Sequence, residues 1–385
     1  MRKALLSACA ICVGATAGYA GGLDRSGQGI NLIFEEGSVV QFRLGYTDPS
    51  VSGTMPSFTT GEPIDSGNVA NDFFTPHLGY KTALTEKLDF AIMYDEPYGA
   101  DIAYSPDYPL STNLVPGGRS DVLRAKADTE AITALLRYKF DGGFSAIGGI
   151  RAQRVKASVT VPLAQGYETR SDKDLAFGYV IGVAWEKPEI AARVALTYNS
   201  KISHDLSQTE SFNPIPIPPV TPGQVNSENT STEIETPQSI NLDFQTGVAP
   251  KTLLFGSVRW VDWPQLSYAP PVYVNNVGAA LVDYDDDTFT YTLGLGYQFS
   301  EEFSGAVTLG YETSSGDPVS NLGPTDGFWS IGLGGTYSLE KAKVSAGVRY
   351  TDIGDATADG ARGVTADFTG NSAWSVGFQI TYALD

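Results

Sequence analysis

Residues 328–339 read Phe-Trp-Ser-Ile-Gly-Leu-Gly-Gly-Thr-Tyr-Ser-Leu. Taken two at a time, Trp329, Ile331, Leu333, Tyr337 and Leu339 fall on one side, and Ser330, Gly332, Gly334, Thr336 and Ser338 on the other. Side chains alternate across a strand, so this stretch predicts a strand with one apolar face and one nearly bare face. Aromatic residues stand near both of its ends. One such strand fits a soluble sandwich, but aromatic ends repeated strand after strand are what a membrane interface selects.

The pattern repeats outward in both directions. Ala342, Val344, Ala346, Val348 and Tyr350 form the next apolar face, and Trp374, Val376, Phe378, Ile380, Tyr382 and Leu384 the last. Upstream come Phe289 to Phe299, then Phe303 to Tyr311. Earlier still come Leu175 to Trp185, Ile190 to Tyr198, Ile132 to Phe140, and Val40 to Tyr46. Six tight turns are expected at Thr85-Glu86-Lys87, Asp141-Gly142-Gly143, Lys187-Pro188-Glu189, Ala249-Pro250, Ser300-Glu301-Glu302 and Glu340-Lys341. Long polar or proline-rich loops are expected over roughly 54–71, 99–121, 162–174, 205–232, 264–286, 314–326 and 354–371. Alternating the two predicts an all-β fold: a 14-stranded antiparallel transmembrane β-barrel, with long loops outward and both chain ends in the periplasm. A barrel that wide has a lumen that side chains alone do not fill.

Composition agrees. Arg2 and Lys3, an apolar run from Ala4 to Ala17 and small residues near Ala20 predict a secretory signal over 1–20. The sequence Leu6-Ser7-Ala8-Cys9 has the form of a lipoprotein box, but the apolar run before it is too short for a signal core. Cys9 and Cys12 both lie in the leader, leaving the mature chain without thiols. The net charge of −19 disfavours nucleic acid as a partner. Later segments fall short of the roughly eighteen consecutive apolar residues of a spanning helix. Residues 21–37 lack the strand pattern and are expected to form a short N-terminal hatch in the lumen, with 38–385 as the barrel.

With these features on view, the chain resembles the FadL/TodX family of outer-membrane transporters for long-chain fatty acids and hydrocarbons. The resemblance lies in Glu235-Thr236-Pro237-Gln238-Ser239-Ile240-Asn241-Leu242, Trp260-Val261-Asp262-Trp263, Pro324-Thr325-Asp326-Gly327-Phe328-Trp329 with the following strand, and Asp48-Pro49-Ser50-Val51-Ser52-Gly53. It implies a monomeric barrel of the Gram-negative outer membrane. Ligand would be captured by outer loops, bound inside, and released sideways beside a kinked third strand. That strand would run from Leu88 to about Tyr98, making Pro97 and Gly99 the candidates for the lateral opening. Two departures stand out: Asn31-Leu32-Ile33-Phe34 replaces the family's Asn-Pro-Ala hatch element, and the chain ends Tyr382-Ala383-Leu384-Asp385 instead of on an aromatic residue.

Alternation places Arg43, Arg137, Arg151, Arg193, Arg259 and Arg349 toward the lumen. A guanidinium fork suits a carboxylate, so Arg151 and Arg259 are candidates for a fatty-acid head group, with Phe34 as a loose counterpart of the family's hatch aromatic. The competing reading is that these arginines pair with inward acids such as Asp89, Glu186, Asp243 and Glu312 and brace the wall. Phe212, Ile215, Ile217 and Val220 in the proline-rich outer loop are candidates for an apolar capture surface, or else for a stiff spacer. Asp283 to Asp287 lack the glycine and closing glutamate of a calcium loop and read as a solvated acidic rim facing lipopolysaccharide. His77 and His204 lie outside any catalytic motif, and a phosphate-binding loop is missing. No catalytic residue, metal or cofactor is expected. The expected partners are hydrophobic small molecules, outer-membrane lipid and lipopolysaccharide, and the barrel-assembly machinery. Passive uptake of hydrophobic molecules, most of all long-chain fatty acids, leads as the function, with a general diffusion porin and a surface adhesin or structural barrel as alternatives.

Overall fold

A computed structural model describes residues 23–216 and 220–384. The expected signal peptide, the first two hatch residues and Ile217 lie outside the described residues. Among the described residues fourteen strands form the wall. They are β1 (Val39–Ser50), β2 (Phe73–Ala83), β3 (Leu88–Asp95 and Gly99–Ala103), β4 (Arg124–Lys139), β5 (Phe144–Val161), β6 (Tyr167–Ser171 and Asp174–Lys187) and β7 (Ala192–Asn199 and Ile202–Phe212). The other seven are β8 (Asn226–Thr236 and Ser239–Ala249), β9 (Thr252–Val261), β10 (Thr288–Gln298), β11 (Phe303–Glu312), β12 (Phe328–Ser338), β13 (Ala342–Ile353) and β14 (Asn371–Ala383). Each wall strand pairs antiparallel with its sequence neighbours, and β14 pairs with β1 from Val39↔Ala383 to Ser50↔Ser372, closing the barrel.

The wall is a soluble fold turned inside out. Leu333, Val376 and Phe177 point outward and are exposed, whereas Ser330, Thr351 and Ser375 point inward and are buried. Lipid supplies the apolar solvent, and closure leaves no unpaired edge in it. Trp329, Tyr350 and Trp374 meet at one end, with ring centroids 6.0 and 5.1 Å apart, and Trp329 Nε1 donates to Asp352 at 2.6 Å. Tyr297, Phe299 and Phe303 cluster at the other end, at 5.1 and 5.6 Å. These are the two interfacial belts.

Three expected loops carry more strand than the sequence reading allowed. Gly99–Ala103 continues β3 against β4, Tyr167–Ser171 opens β6, and the outer pieces of β7 and β8 pair from Ile202↔Thr236 to Phe212↔Asn226. Alternation survives there with its sign reversed: Leu206 and Glu210 are buried while Asp205 and Thr209 are exposed. Above the bilayer the outward face meets water, so the lipid-facing signal disappears. Five short strands (Gly53–Pro56, Pro63–Asp65, Val319–Ser320, Ala356–Asp359 and Thr365–Phe368) form a second sheet over the mouth.

Leu23 to Gly37 run inside the barrel. Ile30, Leu32 and Ile33 are buried against Ala91, Met93, Leu135, Ile147, Val180 and Ala195 of the wall. Among the described residues no helix is long and apolar enough to cross a membrane.

Candidate functional site

Three spaces line up from the outside inward. The outermost is a groove of about 680 Å³ bordered by Leu110, Leu114, Leu163, Tyr273, Val277 and Leu281. One bank is α1 (Pro271–Val277), which ends at Gly278 with φ +85°. Glu210, fully buried on β7, holds α1: its carboxylate accepts from the N–H groups of Val272 and Tyr273 at 3.3 and 3.1 Å and from the Tyr167 hydroxyl at 2.7 Å. Burial and this bond raise the pKa of the Tyr167 hydroxyl, and burial pushes Tyr268, which donates to Gln208, up to about 12. Both phenols therefore stay protonated donors near neutral pH.

Beneath lies an apolar cavity of about 100 Å³, lined among others by Leu23, Tyr98, Leu206, Trp263, Val282 and Tyr284. The Trp263 ring packs against Tyr98 and Tyr284 at 5.7 and 5.6 Å. The third space, about 170 Å³, lies between residues 24–31 and the far wall and has a mixed lining, with Asp24, Arg43, Arg259 and Arg349 beside Phe328, Leu333 and Val348. Small inward residues of β10 to β12, Thr292, Thr308, Ser330 and Gly332 among them, leave it room.

Hatch and wall meet at a break. β2 and β3 pair only as far as His77↔Asp95, and β3 resumes at Gly99 against β4. Pro97 sits in the interruption, where its missing N–H costs no ladder bond. Hatch backbone fills the vacated edge: Asp24 bridges Tyr98, Gly99 N–H donates to Leu23 at 2.8 Å, and Arg25 N–H donates to Pro97 at 2.8 Å. The Arg25 guanidinium lies 4.3 Å above the Phe73 ring on β2, spanning the break from side to side.

Arg259 faces this hatch end. Its Nε donates to Asp24 at 2.6 Å, and Nη1 donates to Ser239 and Asn241 at 3.0 and 2.8 Å. Arg151 is buried in the wall, with Nε donating to Thr133 at 2.9 Å. Phe34 lies at the periplasmic end, far from the apolar cavity, with the guanidinium groups of Arg137 and Arg193 over its ring at 4.6 and 4.4 Å. Arg137 also pairs with Glu186 and Asp89, and Lys81 with Asp89 at 3.3 Å, so bracing accounts for this arginine.

Of the proposed capture residues, Phe212 packs into the outer core, Ile215 is exposed and Val220 is partly covered. They do not border the outer groove. The sequence reading missed Leu110, Leu114, Tyr273 and Leu281 there, and Tyr98 and Trp263 in the cavity. Trp263, just past the end of β9, carried a readable signal, since a tryptophan following a strand's interfacial Trp260 has no lipid-facing place to go. Asp283, Asp285, Asp286 and Asp287 border an outer cleft with Asp317, where desolvation and then repulsion from Asp317 raise the Asp286 pKa. His204 is held on both ring nitrogens, by Asp174 at 2.9 Å and Gln153 at 3.3 Å. Among the described residues no group of three His, Cys, Asp or Glu side chains could hold a metal ion.

Residues 34–384 match the family described as outer membrane protein transport protein (OMPP1/FadL/TodX). The chain belongs to the FadL/TodX family. As a FadL/TodX protein it is an outer-membrane β-barrel transporter of hydrophobic molecules. It is 23% identical over 417 residues to the long-chain fatty acid transport protein of Escherichia coli O6:H1, covering 96% of this chain and 90% of that one. The fold is similar to that of a Pseudomonas aeruginosa FadL homologue (TM-score 0.73, 15% identity, 92% of each chain). It is also similar to the Pseudomonas putida toluene transporter TodX (TM-score 0.65, 11% identity, 90% of each chain). In this FadL/TodX chain residues 23–25 are bonded directly to the broken edge of β3.

Proposed function

We propose that this protein takes up long-chain fatty acids passively. Cargo is captured in the outer groove, held in the apolar cavity beneath Trp263, and released sideways at Pro97 and Gly99 when the hatch withdraws. The observation that carries this reading is the apolar cavity ending on hatch residues that occupy a gap in the wall. An open diffusion pore fits less well, because Ile30, Leu32 and Ile33 pack against the wall inside the lumen. Residues 21–37 act as the gate, and the acidic outer cleft faces lipopolysaccharide.

A second reading has its own observation. Lys126, the charged residue among those lining the apolar cavity, pairs with Asp101 at 2.7 Å, and Arg259 is engaged by Asp24, so both nearby cations are already matched and the cavity suits a neutral hydrocarbon. Lipids extracted from the purified barrel and identified by mass spectrometry decide between the two. Bound fatty acids support the first reading and bound neutral hydrocarbons the second. Only phospholipid at the level of an unrelated barrel contradicts both.

A further inference from the structure

We propose that Arg154 and Lys156, on the outward face of β5, form with Lys173 and Arg170 a docking site for a phosphate of outer-leaflet lipopolysaccharide, whose acyl chains lie along the apolar strip beneath. The proposal depends on the barrel's place in the outer membrane and is independent of its cargo.

β5 has 18 residues, more than the roughly 9–11 that cross the hydrocarbon of a bilayer. A crossing that begins at Phe144 therefore ends near Arg154, where the same outward face passes into the headgroup layer. The residues change there: Phe144, Ala146, Gly148, Ile150 and Ala152 give way to Arg154 and Lys156, both exposed. A cation costs about 2–4 kcal/mol on the lipid face at the midplane and only about 0–1 near the interface, so position alone explains why these two are tolerated. What calls for a ligand is that they are unmatched. The outward-facing basic side chains around them each reach an acid: Arg124 pairs with Asp121, Lys126 with Asp101, Arg170 with Glu168, Lys173 with Glu130 and Lys201 with Glu235. Among the described residues the side chains of Arg154 and Lys156 form no ion pair or hydrogen bond. In a chain of net charge −19, two neighbouring free cations on one face are a departure from the rest of the surface.

Their neighbours complete an amphiphile's outline. Arg154 stands opposite Glu130 of β4 and Leu175 of β6, and Lys156 stands opposite Asp128. Glu130 is neutralised by Lys173, whose Nζ reaches it across β5 at 3.0 Å and so brings a third cation to the Arg154 rung. Arg170, opposite Ser158, adds a fourth beyond Lys156. A guanidinium fork takes two phosphate oxygens at once, and a lysine adds a point charge. Directly beneath Arg154, small Ala152 lies between Ile132 and Phe177, so the strip is recessed there. Its borders are among the most lipid-exposed side chains of the wall, with Phe177 67% and Ile150 64% exposed. Phosphate above and an acyl chain below is the chemistry of lipopolysaccharide, and the end of the barrel that carries the long loops faces the leaflet where it resides.

The test is binding of diphosphoryl lipid A and of its dephosphorylated form to the purified full-length barrel in detergent. EDTA is present, so that divalent cations bridging phosphate to the acidic side chains at Asp283 to Asp287 contribute nothing. The intact protein is expected to bind the phosphorylated form roughly tenfold more tightly, as charge-assisted contacts to phosphate allow. Arg154→Glu with Lys156→Glu should abolish that preference, whereas Lys251→Glu, an exposed change on a periplasmic turn, should keep it. No preference in the intact protein, a preference that survives the double substitution, or an equal loss with Lys251→Glu overturns the proposal. So does displacement of lipid A by an equal amount of phosphatidylglycerol, which would make the site one for any anionic lipid. Should the double variant not fold, labelling of the intact barrel with an amine-reactive reagent decides. Diphosphoryl lipid A should shield Lys156 and Lys173 more than the dephosphorylated form does, and equal labelling with the two overturns the proposal.

Discussion

At Gly99 the Arg25 side chain lies where a Cβ would have to be. The close approach holds the guanidinium across the break in β3, on the Phe73 ring. Gly99→Ala is expected to drive the flexible end of Arg25 out of that position at little cost to the wall itself. Because Arg25 is a buried trypsin site, the readout is cleavage after it: faster in the variant if the hatch has loosened, unchanged if Arg25 is not what bars the gap. Gly79 works the same way lower down, where an added Cβ would meet Leu32 of the hatch. In the sequence Gly79 looked like an ordinary strand glycine, and Gly99 was read with Pro97 as a candidate for the lateral opening, not as a seat for Arg25. What they make room for is a segment far away in the chain, and no local pattern reports that.

At the scale of elements, α1 depends on β7. Five donors converge on Glu210: the hydroxyls of Tyr167 and Thr230, the side-chain amide of Gln208, and the N–H groups of Val272 and Tyr273. Glutamine there keeps the shape but turns an amide NH₂ toward some of these donors, and each buried donor left unmet costs about 1–3 kcal/mol. Glu210→Gln is therefore expected to speed hydrogen exchange at Val272 and Tyr273 while the wall amides keep their protection. Equal exchange in both proteins would show that α1 stands without this carboxylate. The wall strands themselves were legible, because lipid imposes one rule on every outward side chain from Phe42 to Tyr382. The turns at Asp141-Gly142-Gly143 and Glu340-Lys341 fall where the sequence places them. The outer hairpin of β7 and β8 was not legible as strand, since water on its outer face removes that rule. The candidate site was legible in part. Pro97 and Gly99 stand at the break, while Phe34 clamps the hatch at the periplasmic end and Arg259 is bound to the hatch. Which partner a lumen arginine takes depends on the packing of residues 23–37, and alternation in the wall says nothing about it.

The whole molecule has two kinds of inner surface. β3 to β6 carry residues 30–33 on Ala91, Met93, Leu135 and Val180, whereas β10 to β12 present hydroxyls and glycines and leave the chamber beside Arg259 open. Leu23 and Asp24 thus stand between the apolar cavity and the chamber that holds Arg43, Arg259 and Arg349, and residues 23–25 bond to β3 where its pairing with β2 stops. This arrangement suits a cargo whose tail and head part company at Leu23 and Asp24. Uptake of radiolabelled oleate by cells in which this barrel is the only FadL/TodX protein tests it most directly. The account predicts uptake that is lost on deletion, restored by the intact chain, and diminished by Arg259→Ala. Uptake at the same rate with and without the barrel would contradict it.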